Sequence, residues 1–477
     1  MKGKTLPGIF LFWFFAFTGL IRSEGARMPD TPAGRRMTEL LAAVNSADSD
    51  HVRKFVNSFA ESFRQKFPEE EHLRVFADVR ERTGGLEPTK IVDSQQAQLT
   101  ILAKAQKSQR SLRIHIATQA SAPYAITEIG ITPAEDDAPM TEEDGEAGKR
   151  ISNEKARKRL TEFFAQLKPY GFTGGVLITR NGEVILEQGY GLANRTRNIP
   201  VTNETVFDIG SNTKDFTQTA IFQLVASHKL QLTDPLSKFF PNVPADKSAI
   251  TIEQLLQHTA GLPMYSGRDQ EMLLREDFLK RIFSMPLKFQ PGKQESYSNP
   301  GYSLLAAIIE IVTNQPYEQY LKEQIFEPAG MTHTGYALPK WNLDEIGHTY
   351  SGDHDRGSTF DFPHPSDGSS WNLRGNGGTL STLRDMDRFY EALVSFKLIP
   401  KESNLRVFPP NEPIALAGSD GFHFFLYQRM PRSGISIVMA TTNGEIKAPA
   451  VIRPIVAILA GKPWTLPPEI TKLKQNK

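Results

Sequence analysis

The spacing of apolar positions changes several times along the chain, and each change marks an element. From Leu6 to Ile21 the run is nearly continuous, with Phe10, Leu11, Phe12, Trp13, Phe14 and Phe15 at its centre and Lys2 and Lys4 ahead of it. A charged start, a short apolar run and a polar exit with small residues (Ser23, Gly25) are the parts of a secretory signal, so residues 1–25 are expected to direct export to the periplasm or medium. The run is shorter than the roughly 20 residues a spanning helix needs; an uncleaved membrane anchor is the alternative. Helical spacing follows. Thr31-Pro32 reads as N-cap and first helical position, and Leu40, Leu41 and Val44 share one face. Two further helical stretches, 50–63 and 69–82, end at Gly84-Gly85. The period then drops to two over residues 100–105, 111–117 and 125–131, which predicts strands. Helices followed by a meander imply a small α+β domain over residues 27–133.

Residues 134–152 carry Glu135, Asp136, Asp137, Glu142, Glu143, Asp144 and Glu146 among Pro and Gly, an acidic, apolar-poor stretch that reads as a linker. A second domain, 153–465, opens with a helix over 153–167. Strands 176–179 and 184–187 flank Asn181-Gly182, a two-residue hairpin signal. A long helix- and loop-rich middle gives way to strands 422–428 and 435–441, joined by Pro431-Arg432-Ser433-Gly434, and to a helix over 451–459. Strands at both ends of a helical middle predict one antiparallel sheet assembled from the two ends. In element order alone, the first domain resembles the cone-shaped fold of the SnoaL and nuclear-transport-factor group.

Composition narrows the function. Hydrophobic residues make up 39% and charged residues 23%, with a formal net charge of +1, so no whole-protein field points to nucleic acid. The absence of cysteine removes disulfides, a thiol nucleophile and cysteine-ligated metals. No segment after the leader is apolar enough to span a bilayer, so no stable membrane insertion is expected once the signal is cleaved. No cofactor is expected.

The chemistry centres on Phe207-Asp208-Ile209-Gly210-Ser211-Asn212-Thr213-Lys214. Phe216, Ala220, Leu224 and Val225 recur behind it at helical spacing, which puts Ser211 at a helix start and Lys214 one turn on, on the same face. A serine hydroxyl needs a neighbouring base, and a lysine whose pKa is lowered by burial can be that base. The helix N-terminus adds a field that favours a developing oxyanion. The ordered motifs around this one are Gly189-Tyr190-Gly191, Leu255-Leu256-Gln257-His258-Thr259-Ala260-Gly261-Leu262-Pro263, Tyr297-Ser298-Asn299, Glu327-Pro328-Ala329-Gly330-Met331 and Gly377-Gly378-Thr379-Leu380-Ser381-Thr382. Over residues 155–462 the chain resembles the β-lactamase-related serine hydrolases, the group of class C β-lactamases, D-alanyl-D-alanine carboxypeptidases and esterases. The resemblance implies an α+β fold, an antiparallel sheet flanked by helices with a helical subdomain. It also implies that Tyr297 exchanges protons with Ser211 and the leaving group, and that Asn299 hydrogen-bonds Lys214 or the substrate amide.

One part of the family pattern is altered. A K-T-G or H-x-G motif is expected on the strand beside the serine, and the corresponding segment reads Ala415-Leu416-Ala417-Gly418-Ser419-Asp420, with Gly418 as its remnant. The missing cation would ordinarily grip a substrate carboxylate. Arg432-Ser433-Gly434 imitates the motif but reads as a hairpin turn. His423 is a possible substitute cation, with a structural role favoured. His348, Asp353, His354, Asp355, Asp361 and His364 crowd one loop without the spacing of a metal site. His258 is expected to be structural.

Two readings follow. One is a serine hydrolase working through an acyl-enzyme on a small ester or peptide-like amide. The other is a non-catalytic binding or interaction protein on the same scaffold, its turnover lost with the third motif. For the leader, N-terminal sequencing of exported protein should begin near Ala26. An intact Met1 start recovered from the membrane fraction would establish the anchor instead.

Overall fold

The computed structural model describes residues 26–64, 69–107, 111–133, 151–404, 408, 410–419, 423–443, 446 and 448–471. The expected signal and residues 134–150 of the expected linker lie outside these. The chain divides into two compact units, Met1–Asp137 and Ala138–Lys477. Among the described residues, no helix is long and apolar enough to cross a membrane.

In the first unit, helices α1 (Pro32–Asn45), α2 (Ser49–Val56) and α3 (Glu69–Thr83) precede strands β1 (Leu86–Ser94), β2 (Gln98–Ala105), β3 (Ser111–Thr118) and β4 (Ile126–Pro133). Thr31 caps α1 by accepting from the Gly34 amide at 3.0 Å, which satisfies one of the unpaired N–H groups of the first turn. Met37, Leu40 and Val44 of α1 are fully buried against Leu99, Ile101 and Ile116 of the sheet. Two expectations change. The single helix over 50–63 breaks after Val56, because Ser58 and Ala60 exchange backbone hydrogen bonds with Ile126. Strand β1 was not legible: Pro88 and two register shifts against β2 interrupt its alternation, and it lies at a sheet edge where few side chains are buried.

In the second unit Ser152 caps α4 (Asn153–Leu167). Strands β5 (Gly174–Arg180) and β6 (Glu183–Tyr190) turn on Asn181 and Gly182, both in the left-handed region at φ 52° and 78°, as a type I′ hairpin requires. Helix α5 (Thr213–Ala226) follows, then α6 (Asn299–Thr313) and α7 (Leu383–Val394). Strands β7 (Ile414–Ser419), β8 (Phe424–Met430) and β9 (Ile435–Thr441) and helix α8 (Ala448–Leu459) complete the unit. The sheet order is β7-β8-β9-β5-β6, antiparallel throughout, so the two ends of the unit do build one sheet.

Period-two alternation splits the strands between two cores. Val176, Ile178, Ile437 and Met439 face Phe163 and Phe164 of α4 and Val451 and Ile455 of α8. Leu177, Phe425, Tyr427 and Val438 face the helical region that contains α5, α6 and α7. Phe216 of α5 lies edge-on to Phe326 and Phe389, at centroid distances of 5.0 and 4.6 Å, and is fully buried. Truncating it leaves a cavity under the helix that carries Lys214. Phe216→Ala should therefore cost about 3–5 kcal/mol in the unfolding transition of this unit, read from denaturant midpoints. A loss below about 1 kcal/mol would show that other contacts hold α5.

Candidate active site

Ser211 occupies a single 3₁₀ turn, Gly210–Asn212, that feeds directly into α5. The turn is fixed from two sides. Asp208 accepts from the Gly210 amide at 2.7 Å, and the Ile209 amide donates to the Thr379 carbonyl at 3.0 Å. Lys214, one turn on, is buried and donates to Ser211 Oγ at 3.2 Å and to the Asn376 carbonyl at 2.6 Å. Removal from water disfavours its charged form and pushes it down to about 7, against the opposing fields of Asp215 and Asp269. Burial pushes the neighbouring Asp215 carboxyl up to about 7, while the Tyr390 hydroxyl donates to it at 2.7 Å.

Tyr297 reaches the serine from the segment that leads into α6. Its hydroxyl is 2.7 Å from Ser211 Oγ, and Lys214 Nζ lies 4.8 Å from its ring centroid. Tyr297 is 38% exposed as a residue, yet desolvation by the surrounding protein pushes the phenol up to about 12, with the Ser211 hydrogen bond pulling the other way. At neutral pH Tyr297 is thus a phenol that can pass a proton on, and Lys214 is the better standing base. His258, expected to be structural, is bound to this segment by three contacts. Its carbonyl accepts from the Ser296 amide at 2.9 Å, its Nδ1 accepts from the Ser298 amide at 3.1 Å, and its ring lies 4.5 Å from that of Tyr297. Burial, aided by Lys214, pushes His258 down to about 4, so it is neutral.

Asn299 was expected to meet either Lys214 or the substrate amide, and the structure bears on the first alone. Asn299 is the first residue of α6, its amide donates to the Met264 carbonyl at 3.0 Å, and its buried side-chain oxygen has no hydrogen-bond partner. Lys214 donates to the Asn376 carbonyl, and no hydrogen bond joins it to the Asn299 oxygen. Asn376 is itself held by Ser303 Oγ and the Asn372 carbonyl, each at 2.8 Å. Sequence reasoning missed Asn376 because a main-chain acceptor leaves no side-chain signature; its one pointer was the adjacent Gly377-Gly378-Thr379. Asp215 and Tyr390 were missed as well.

Strand β7 lies against the serine turn. A Cβ on Gly418 would stand 2.1 Å from the Ile209 carbonyl oxygen and 2.7 Å from the Ser211 nitrogen, so only glycine allows this approach. Two residues earlier, Leu416 packs against the large core. Arg432 sits in the four-residue turn joining β8 to β9, at the sheet end marked by Met430–Ile435–Arg180 pairing; Ser419 and Phe424 pair at the opposite end. His423, just before β8, is buried. In the histidine- and aspartate-rich loop, His348 pairs with Asp355 at 3.0 Å and Asp361 accepts from the Ser358 amide and hydroxyl, which are loop-building contacts.

The family model described as Beta-lactamase matches residues 160–446, more than half of the chain. The chain belongs to the β-lactamase family. A second model, described as ORF 12 gene product N-terminal, matches residues 28–121 of the first unit. Among curated relatives of this β-lactamase-family chain, the putative penicillin-binding protein PbpX of Bacillus subtilis is 37% identical over 246 residues, 51% of this chain and 60% of that protein. Penicillin-binding protein 4* of the same organism is 29% identical over 270 residues, 53% and 59% of the two chains. The chain thus spans about three fifths of the length of these relatives. Three solved structures share the fold. They are the octameric penicillin-binding protein homologue of Pyrococcus abyssi (23% identity, TM-score 0.54, 64% of this chain and 77% of that one), the hydrolase EstCE1 (22%, 0.54, 65% and 99%) and a class C β-lactamase (19%, 0.54, 65% and 99%).

The lowered lysine sets a pH dependence. Lys214 can accept the serine proton only when unprotonated, and with a pKa near 7 that fraction rises as pH climbs through about 7. The kcat/KM for a neutral ester, measured from pH 5 to 10, should rise through that region and then level. A rate still climbing tenfold per unit beyond pH 9 would mean that an ordinary lysine, or hydroxide, is the base.

Proposed function

We propose that this chain is an exported serine hydrolase that acts through an acyl-enzyme on an ester or peptide-like amide. The observation that carries the reading is the position of Ser211 Oγ, between Lys214 Nζ at 3.2 Å and the Tyr297 hydroxyl at 2.7 Å. Ser211 Oγ attacks the substrate carbonyl carbon as its proton moves to the neutral Lys214 amine. The negative charge that develops on the carbonyl oxygen faces the Ser211 amide and the backbone of β7 at Gly418–Ser419, donors that need no particular side chain. Collapse of the tetrahedral adduct breaks the bond to the leaving group, which takes a proton from the Tyr297 phenol; Tyr297 recovers it from Lys214. Water then attacks the Ser211 ester by the same proton path and releases the acid. A substrate amide N–H would pair with the unpartnered Asn299 oxygen only if that buried atom were uncovered.

Ser211→Ala should lower hydrolysis of an activated ester by about 10⁴-fold or more while the thermal transition stays in place. Turnover equal to wild type would put the nucleophile elsewhere. Leu416 in place of a cation also predicts substrate preference. A charge-assisted contact to a substrate carboxylate is worth about 1.5–3 kcal/mol, so a neutral p-nitrophenyl ester should outpace a chromogenic cephalosporin, and Arg432→Ala should leave both rates alone. Strong cephalosporin turnover that collapses in that variant would make Arg432 the missing cation. The second reading, a binding protein without turnover, draws on the same altered strand. Failure of a fluorophosphonate to label Ser211 would favour it.

A further inference from the structure

The turn that receives the Lys214 amine is built mainly of glycine. It reads Gly375-Asn376-Gly377-Gly378, with Gly375 and Gly378 in the left-handed region at φ 82° and 76°. A Cβ on Gly375 would stand 2.7 Å from the Tyr302 carbonyl oxygen, so no larger residue fits there. Glycine leaves the peptide planes of a turn free to rotate, and a carbonyl stays on target only through bonds from outside. The Asn376 and Gly377 amides both donate to the Leu373 carbonyl at 2.9 Å, which divides one acceptor between two donors.

Three successive carbonyls of the turn each accept from one side chain. Thr217 Oγ1 donates to that of Gly375 at 2.7 Å, Lys214 Nζ to that of Asn376 at 2.6 Å and the Tyr336 hydroxyl to that of Gly377 at 2.9 Å. The same Tyr336 hydroxyl accepts from the Gly375 amide at 3.3 Å. The peptide that carries the Asn376 carbonyl is therefore gripped on both flanks, by Thr217 before it and by Tyr336 after it.

Both grips come from fixed positions. Thr217 is fully buried on α5, one turn beyond Lys214 and on the same face, with the Tyr317 hydroxyl 2.6 Å from its own. Tyr336 is held through its main chain. The buried Glu318 carboxylate accepts from the amides of Tyr336, Ala337 and Leu338 at 2.6, 3.0 and 3.0 Å, and Trp341 Nε1 donates to the Tyr336 carbonyl at 2.7 Å. Burial pushes the Tyr336 phenol up to about 12, so it keeps the proton that it donates.

We propose that Thr217 and Tyr336 are positioning residues, whose hydroxyls hold the Asn376 carbonyl against the Lys214 amine and so aim that amine at Ser211. The inference rests on the acyl-enzyme reading for the role of Lys214, and adds to it two residues that act through a main-chain group.

A carbonyl that accepts from an amine favours the ammonium form, so loosening it favours the neutral amine. The ionisable groups facing Lys214 are Asp215 on α5, Tyr297 and Tyr302 with ring centroids 4.8 and 5.7 Å from Nζ, His258, and Asp269, whose field reaches it. Tyr336→Phe and Thr217→Val each remove one hydroxyl and change none of these groups.

Two measurements on the full chain test the pair. In protein carrying 13C at lysine Cε, the Lys214 resonance is assigned by its loss in Lys214→Met. Its titration midpoint should fall by about half a pH unit or more in each variant. With a neutral p-nitrophenyl ester, kcat should drop about tenfold at unchanged KM, because a misdirected base weakens the transition state and not the binding. Hydroxyls with a merely structural role would lower the unfolding midpoint and leave the Lys214 titration in place. A folded variant whose Lys214 midpoint stays at the wild-type value, or rises as it would if loosening only admitted water, overturns the proposal. The two variants lie on different elements, so either one decides the matter if the other does not fold. A lowered midpoint in protein that turns over no ester would sink the hydrolase reading and leave the positioning pair standing. Ser211-dependent turnover with the midpoint unmoved would do the reverse.

Discussion

Everything near Ser211 depends on the removal of one amine from water. Lys214 is buried, and burying a charge in a poorly polarisable interior costs several kcal/mol unless partners compensate. Here the compensation is partial: a main-chain carbonyl, a serine hydroxyl and two carboxylates that act at a distance. The shortfall is what brings the amine down to about 7, where it can trade protons with a hydroxyl. Three stretches meet at this amine, the helix that carries it, the Asn376 turn and the Tyr297 segment braced by His258, while strand β7 closes on the serine turn.

The sequence made the serine and lysine legible for a simple reason. Residues three apart on a helix must share a face, so a pattern of two letters already contains a geometry. The Asn181-Gly182 hairpin and the Thr31-Pro32 helix start were readable for the same reason, since each depends on local backbone preferences. Tyr297 needed the family resemblance, because its distance from Ser211 along the chain carries no local geometry. Asn376 was out of reach: its contribution is a carbonyl that any residue possesses. Of the two partners expected for Asn299, Lys214 goes instead to the Asn376 carbonyl, a main-chain acceptor that a side-chain rule cannot see, and the substrate amide is the other. In the first unit the lost strand and the broken helix have different causes: in β1 Pro88, two bulges and an exposed edge blur the alternation, whereas the helix is cut by pairing of Ser58 and Ala60 with the distant Ile126, of which local pattern carries no trace.

On the β7 side of the serine the position where the family pattern expects a cation is Leu416, which is half-buried and packs against the helical core, so that position offers no charge to a carboxylate. The Gly418 approach separates two properties that usually change together. The contact between β7 and the serine turn is backbone against backbone, and in the proposed reaction it is what the developing charge would face. On the same strand Ala415 and Ala417 are exposed, while Leu416, on the Gly418 face by strand period, is half-buried against the helical core. On this strand the contact with the serine turn is made by main chain, and the outer positions are side chains that the contact leaves free to vary. Such a strand can trade one clientele for another by ordinary point changes at its outer positions, with no need to rebuild the machinery it touches.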